Sequence, residues 1–403
     1  MRLALGPFRT SPIESLYAEA NASSLQLRRD KLSLQYYTKL AANVENPAYE
    51  TVVHPNYPDK YEEKPKAIKP FGLRVRHLAA ESNITIENVK ENKISTIPSW
   101  TMEKPNILFD LKQDRKNNIT PEIHRSNFNE LKSKYTEHFP IYTDGSRDND
   151  KTGYAIVNEI CRKKCRLPDA TSIFTAEAKA LLSALEFISV YDFKNKFIIF
   201  TDSFSVLQSL QQSNPRNPVI KDILMKHHEL SDRKNIIYCW VPSHVGIPGN
   251  EYADKEAKLA LNLPIKEQKI PFSDYKPCIR KYIHSKWQQS WDTKEFNKLR
   301  TIKPLIGDDY YSRPVRRDDV VLTRCRIGHS RLTHSYLLNR EDQPECIGCY
   351  APLTIKHILI DCIDMAMVRD RHYQATDMKD LFNNVPVNSI LSFLKDVNLY
   401  NKL

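Results

Sequence analysis

The sequence predicts an α/β fold with a mixed β-sheet between helices, and three observations carry this expectation. Short β-rich runs follow one another from about Phe139, separated only by turn residues. Helical and strand patterns then alternate, as parallel strands joined by crossovers require. One later strand, Phe197-Ile198-Ile199-Phe200, is apolar without a break, the pattern of a strand covered on both faces.

The elements follow in chain order. Ser11-Pro12-Ile13-Glu14 reads as a capping box that opens a short helix to about Asn21. A second helix follows over Leu25 to Ala42, where Leu25, Leu32, Tyr36 and Leu40 recur at helical spacing. Five prolines from Pro47 to Pro70 break both periodicities, and the next sixty residues are polar and rich in Asn and Lys. Residues 46–135 therefore read as a poorly ordered linker. Strands are predicted at Pro140 to Thr143, Thr152 to Asn158 and Arg162 to Leu167. Ala178, Leu181, Leu182, Leu185 and Ile188 mark one face of an amphipathic helix, and the apolar strand at 197–200 comes next. Helices near Ser203 and over Val219 to Ser231, a strand over Ile236 to Val241, and a helix over Asn250 to Leu261 complete a five-stranded reading. Beyond it, Tyr275, Ile279, Ile283, Trp287 and Trp291 fall every fourth residue, a core stripe. A basic stretch then holds Arg313, Arg316, Arg317, Arg324, Arg326 and Arg331, and the tail from Asp377 to Tyr400 is helical.

Composition narrows the function. The chain has 403 residues, enough for two or three domains of roughly 150. Lys and Arg number 60 against 49 acids, a formal charge of +11 that favours an anionic partner. With 9 glycines against 24 prolines, and neither a Walker-type loop nor a Gly-x-Gly-x-x-Gly turn, the simple nucleotide enzymes recede. No apolar run approaches the ~20 residues of a membrane span, so no membrane partner is expected. Met1 to Leu5 is interrupted by Gly6-Pro7 before it could form a secretory core. Eight cysteines, scattered but for one close pair, argue against a disulfide framework and for an intracellular compartment, cytoplasmic or nuclear.

Four acids stand at the ends or faces of predicted elements. Asp144 follows a strand in Tyr142-Thr143-Asp144-Gly145-Ser146. Glu177 opens a helix, off its apolar face, and Asp202 ends the apolar strand. Asp254 lies on a helix in Gly249-Asn250-Glu251-Tyr252-Ala253-Asp254. Singly, each has an ordinary role as a turn, cap or solvated helix residue. As an ordered set they can converge on one cleft, since ligands gather at the carboxyl ends of strands in α/β sheets. Hard oxygen ligands in such a cluster suit Mg²⁺ or Mn²⁺, which neutralise the repulsion of neighbouring carboxylates.

Strand-Asp-Gly-Ser, helix-Glu, strand-Asp-Ser and Ser-His-x-Gly-x-x-Gly-Asn-x-x-Ala-Asp together resemble the type 1 ribonuclease H family. The resemblance implies a five-stranded mixed sheet flanked by helices and two-metal endonucleolytic hydrolysis of the RNA strand of RNA–DNA hybrids. It implies that Asp144, Glu177, Asp202 and Asp254 hold Mg²⁺ or Mn²⁺, that His244 assists turnover from a mobile loop, and that Gly145 and Ser146 lie near the RNA. Arg162, Lys163 and Lys164 are candidates for the nucleic-acid backbone, or else an exposed edge kept soluble by charge.

A second motif, Cys346-x2-Cys349-x7-His357-x4-Cys362, offers three thiolates and an imidazole, the donor set of a closed tetrahedral Zn²⁺ site. Phe8 to Pro12, Leu32 to Tyr37, Arg326 to His334, this cluster and Phe393-Leu394-Lys395 look like the C-terminal part of Jockey-type non-LTR retrotransposon polyproteins. That likeness implies a division into a thumb-like helical segment (1–45), the linker (46–135), the ribonuclease H domain (136–264), a helical, basic connector (265–345), the zinc knuckle (346–362) and a helical tail (363–403). It further implies RNA or DNA binding through the basic segments. No Tyr/Phe-Ala-Asp-Asp signature is present, and Tyr252-Ala253-Asp254 runs on into Lys255, so no reverse transcription is expected from this chain alone. The alternative is a catalytically inactive, retrotransposon-derived nucleic-acid-binding protein.

Overall fold

A computed structural model describes the chain except residues 57, 64–65, 93–96, 99, 113–119, 267 and 308–314. Arg313 of the basic stretch thus lies outside the described residues. The chain divides into two compact units, one of residues 32–280 and one of 1–31 with 281–403.

The first unit is built on a six-stranded mixed sheet. Its strands are β1 (Asn106–Leu108), β2 (Phe139–Asp148), β3 (Lys151–Val157), β4 (Arg162–Leu167), β5 (Lys196–Thr201) and β6 (Asn235–Trp240). They lie in the order β1-β6-β5-β2-β3-β4. The pairs β1–β6, β6–β5 and β5–β2 are parallel, and the β2–β3–β4 meander is antiparallel. Helices beside the sheet include α1 (Pro121–Lys134), α2 (Ile173–Val190), α3 (Phe204–Leu210), α4 (Pro218–Ser231) and α5 (Pro248–Ala260).

Strand alternation sends successive side chains to opposite faces. Ile141, Ile156, Phe197, Ile199, Ile236 and Tyr238 meet Leu181, Leu185 and Ile188 of α2 and Ile220 and Ile223 of α4. Tyr142, Ile198, Phe200, Ile237 and Cys239 meet Phe128 and Leu131 of α1 and Ala253 of α5 on the other face. The central strand β5 is covered on both sides, so its four apolar residues are each at most 1% exposed. Each contributes roughly 1.5–3 kcal/mol by leaving water.

Two expectations need correction here. The sheet has six strands, because Asn106–Leu108 pairs with Ile237–Cys239 along the β6 edge. Residues 46–135 also hold the helices Tyr49–Val53, Phe71–Glu81 and α1, so the segment is not a plain linker. A three-residue strand and a five-residue helix have no readable period, whereas Phe71–Glu81 and α1 are long enough to carry one, with His124, Phe128 and Leu131 buried along one face of α1.

The second unit is helical. Its helix Ile13–Glu19 is not opened by Ser11: Pro12 takes an extended ψ of 141° and becomes the N-cap itself. Ser11 is thereby one residue too far back to reach a free N–H, and its Oγ is buried without a hydrogen-bond partner. Arg316, Arg317, Arg324 and Arg326 of the basic stretch fold in the helix Arg316–Ile327, and Arg331 opens the short helix Arg331–His334. Helices Met378–Asn384 and Val387–Asp396 form the tail, with Ile390, Phe393 and Leu394 fully buried against Leu322, Ile358 and Leu359. Among the described residues no helix is long and apolar enough to cross a membrane.

Candidate active site and a Cys3His cluster

The parallel pairing of β2 with β5 ends at Thr143↔Thr201, so Asp144 and Asp202 each follow by one residue on neighbouring strands. Glu177 comes from the second turn of α2. That helix is anchored by Ser172, whose Oγ accepts the Thr175 N–H at 3.2 Å. Gly145 lets α2 approach the sheet: a Cβ there would lie 2.8 Å from the Glu177 backbone nitrogen. As a result, carboxylate oxygens of Asp144, Glu177 and Asp202 lie within 4.8 Å of one another.

Asp144 and Glu177 are 5% and 8% exposed. Burial first, then the charges of Asp202 and Asp254, pushes the Asp144 carboxyl up to about 8. Burial followed by Asp144 and Asp202 raises Glu177 well above the usual carboxylate range, and its Oε2 is buried with no hydrogen-bond partner. Asp202 is raised chiefly by burial, against which the Asn250 side chain donates a hydrogen bond to the ionised form. An uncompensated cluster of this kind is costly, and a divalent cation is the usual compensation for crowded carboxylates. The donor set and the unsatisfied oxygen of Glu177 both fit one.

Asp254 is placed differently from the other three. It comes from α5 on the Tyr142 face of the sheet, and its carboxylate groups with His244 and Glu251 within 4.8 Å. It still acts on Asp144 and Asp202, and it is ion-paired to Lys258 at 2.7 Å, one turn along the helix. His244 is exposed on the loop before α5, with a left-handed φ of 56°. The start of α5 lies hard against the sheet, since a Cβ at Gly249 would fall 2.3–2.5 Å from the Tyr142 ring.

Sequence reasoning missed two residues of this site. Glu251 accepts the Gly246 N–H at 3.1 Å and so ties the His244 loop to α5. Asn250, 2% exposed, hydrogen-bonds Asp202. Their signal is a Gly-Asn-Glu run at a helix start, where polar side chains can turn back toward a preceding loop.

The basic run on β4 does not form one surface. Alternation along the strand sends Arg162 and Lys164 to the α5 side, where Arg162 covers the Tyr252 ring at 4.9 Å and Lys164 pairs with Glu256 at 2.8 Å. Lys163 goes to the α2 side and pairs with Glu186 at 3.3 Å. Ser146 is 9% exposed beside Gly153 in the β2–β3 ladder.

In the second unit, Cys346, Cys349, His357 and Cys362 bring their ligand atoms within 4.8 Å of one another. Cys362 Sγ lies 3.8 Å from Cys346 Sγ and 3.7 Å from Cys349 Sγ. A tetrahedral metal with thiolate bonds of about 2.3 Å sets sulfur atoms about 3.8 Å apart, so the spacing fits. A π-helical turn over His357–Asp361 carries the Cys362 N–H to the His357 carbonyl at 2.7 Å, which brings the last two ligands to one side. The His357 side chain, beside Cys346, draws that thiol down to about 6, toward the thiolate that metals bind.

The arginines of 316–327 are used internally. Arg316 donates to the Leu3 carbonyl, Arg317 to that of Tyr400, and Arg324 to those of Gly6 and Leu403. Arg326 Nε holds both oxygens of Glu19 at 2.9 and 3.1 Å.

Comparison with known proteins finds similarity over part of the chain. Pol polyproteins of equine infectious anemia virus, from strain Wyoming and from isolates 1369 and CL22, are each 27% identical to the chain over 207 residues. The match covers 48% of this chain and 16% of each polyprotein, so the chain corresponds to only a small part of those relatives. A family profile described as RNase H matches residues 136–262, which cover β2 to β6 and all four acids. Residues 136–262 are an RNase H domain.

Proposed function

We propose that this domain hydrolyses the RNA strand of RNA–DNA hybrids as an endonuclease, and that the chain derives from a retroelement. The observation that carries the reading is the approach of the Asp144, Glu177 and Asp202 carboxylates within 4.8 Å, with one buried oxygen of Glu177 unsatisfied. Asp144, Glu177 and Asp202 would hold Mg²⁺ or Mn²⁺ together with Asp254. When bound, the cations supply Lewis acidity at the scissile phosphate and a water of lowered pKa.

The chain's own residues do the rest. Asn250 orients Asp202 by donating to it, and so favours its ionised form against the burial that raises it. Lys258 holds Asp254 and so moderates the negative charge of the site. His244, exposed beside Asp254 and Glu251, can exchange a proton with solvent near the leaving group. Gly145 and Ser146 set the backbone of β2 against the RNA strand, and a 2′-hydroxyl on one strand is what separates a hybrid from duplex DNA. In the second unit, the three thiols and His357 would hold Zn²⁺ as a structural ion.

The test is a labelled RNA–DNA hybrid incubated with Mg²⁺ beside duplex DNA and duplex RNA. Cleavage of the hybrid's RNA alone, leaving 5′-phosphate ends and abolished by Asp202→Asn, is the expected result. A hybrid that is retarded but uncut would favour an inactive binding protein, and cut DNA would replace the reading with a DNA-processing enzyme.

A further inference from the structure

On the α2 side of β4, away from the acids, five lysines face one cleft of about 330 Å³: Lys90, Lys163, Lys179, Lys266 and Lys269. Tyr154, Leu182, Glu186 and Gln268 complete its lining. Lys266, Gln268 and Lys269 close it from one side, and the Lys266 N–H bonds back to the sheet edge at the Arg166 carbonyl, 3.1 Å away. Residues 88–91 join them through the Lys90 N–H to the Ile270 carbonyl at 2.7 Å. Lys90, Lys266 and Lys269 therefore come from segments outside the RNase H match.

The charges do not cancel. Lys90 is paired with Asp222 at 2.6 Å, Lys163 with Glu186 at 3.3 Å and Lys269 with Glu91 at 2.8 Å. Among the described residues, neither Lys179 nor Lys266 has a carboxylate within ion-pair distance. The nearby carboxylates of Asp222 and Glu186 are engaged by Lys90 and Lys163. A half-buried ammonium facing other ammonium groups is an unfavourable arrangement that a bound anion relieves.

We propose that this cleft is a second nucleic-acid contact, in which Lys179 and Lys266 bind backbone phosphates of a strand engaged by the RNase H domain. A strand fits better than a small anion because the space continues: Lys90 and Lys269 also wall a neighbouring cleft of about 1090 Å³, lined further by Lys104, Lys221, Glu91, Glu103 and Asp222. Lys179 is two residues from Glu177, which turns it about 200° around α2, so the contact lies about one helix width from the acids. The choice of ligand rests on the hybrid reading above; the site itself does not.

The experiment measures binding of a labelled hybrid to the full chain in EDTA, where no cleavage occurs, as a function of salt. Loss of two phosphate contacts in Lys179→Gln/Lys266→Gln should weaken binding roughly ten-fold near physiological salt and reduce the slope of log K on log salt by about 1.5. Lys179→Arg/Lys266→Arg, which keeps both charges, should restore the slope. In the wild type, hybrid should protect Lys179 from an amine-acylating reagent. An unchanged slope in a folded Gln variant, or Lys179 acylated equally fast with and without hybrid, overturns the proposal. Full protection by inorganic phosphate at matched ionic strength, with no added effect of hybrid, assigns the cleft to a small anion and also overturns it. A hybrid that binds with the lysine-dependent slope yet is never cut would sink the nuclease reading and leave this one standing.

Discussion

Replacing Asp144 by asparagine should stabilise the metal-free protein while removing its response to Mg²⁺. The native carboxyl titrates at about 8, against an ordinary 3.8, because it is buried beside Asp202 and Asp254. Between those values the unfolded chain releases the proton and the folded chain keeps it. The folded state thus binds more protons, and stability falls as pH rises through the window, by up to about 1.4 kcal/mol per unit. Summed to neutrality this reaches about 4 kcal/mol as an upper limit, and relaxation and water penetration bring it nearer ~2 kcal/mol. Asparagine keeps the shape and does not titrate, so metal-free Asp144→Asn should melt roughly 4–8 °C higher near neutral pH. Saturating Mg²⁺ should reverse the order, since the wild type gains about 2.7 kcal/mol when the ion is at a hundred times its Kd and the variant gains little. Calorimetric melting of both proteins at about pH 5 and about pH 7.5, with and without Mg²⁺, reads each effect. A metal-free variant that melts lower than the wild type, or equal Mg²⁺ shifts in the two proteins, would refute the view of this cluster as a cation site.

Three further outcomes follow from the same geometry. Gly249→Ala drives a Cβ into the Tyr142 ring, so urea unfolding should show a loss of about 1–3 kcal/mol, and hybrid cleavage should fall as α5 shifts Asn250 and Asp254. The purified chain should carry about one zinc by atomic emission, and Cys362→Ser should carry almost none; a zinc-free wild type that keeps its helical signal would discard the knuckle. Arg326→Ala strands the Glu19 carboxylate, 8% exposed, and should cost about 2–3 kcal/mol in urea unfolding while leaving the salt dependence of nucleic-acid binding unchanged.

Much of the sheet was legible because its strands carry their own pattern. The apolar run at 197–200 and the helical face from Ala178 to Ile188 need no distant partner to be recognised, and both appear in the structure. β1 was not legible: Asn106–Leu108 is three residues long, and its partner in β6 lies more than a hundred residues further on. Asp202 is legible at a strand end, whereas Asp144, expected there too, lies inside β2, which runs on to Asp148 against β3; the adjacency of the two depends on the β2–β5 register, a long-range property. The basic run at 162–164 reads as candidate backbone contacts or as an exposed charged edge, and period-two alternation divides its side chains between two helices. Glu251 escaped notice because a first-turn acid is so ordinary at a helix start; only the Gly246 loop folding back gives it a partner.

The formal charge of +11 divides in a way that bears on the binding reading. A guanidinium presents five donors in a planar fork and suits carbonyl and carboxylate partners, whereas an ammonium is a compact charge on a flexible stem. In the helix Arg316–Ile327 the arginines follow that logic inward, to four backbone carbonyls and one carboxylate. They are satisfied within the protein, and drawing them onto a phosphate would forfeit contacts that hold the unit together. The lysines of the cleft beside α2 are in the opposite position: five share one space, and two have no ion-pair partner among the described residues. Electrostatic affinity for nucleic acid should therefore depend on Lys179 and Lys266 rather than on Arg324 or Arg326. Paired measurements on Lys179→Gln/Lys266→Gln and Arg326→Ala decide it, since only the lysine variant should flatten the salt slope and only the arginine variant should lower the unfolding midpoint.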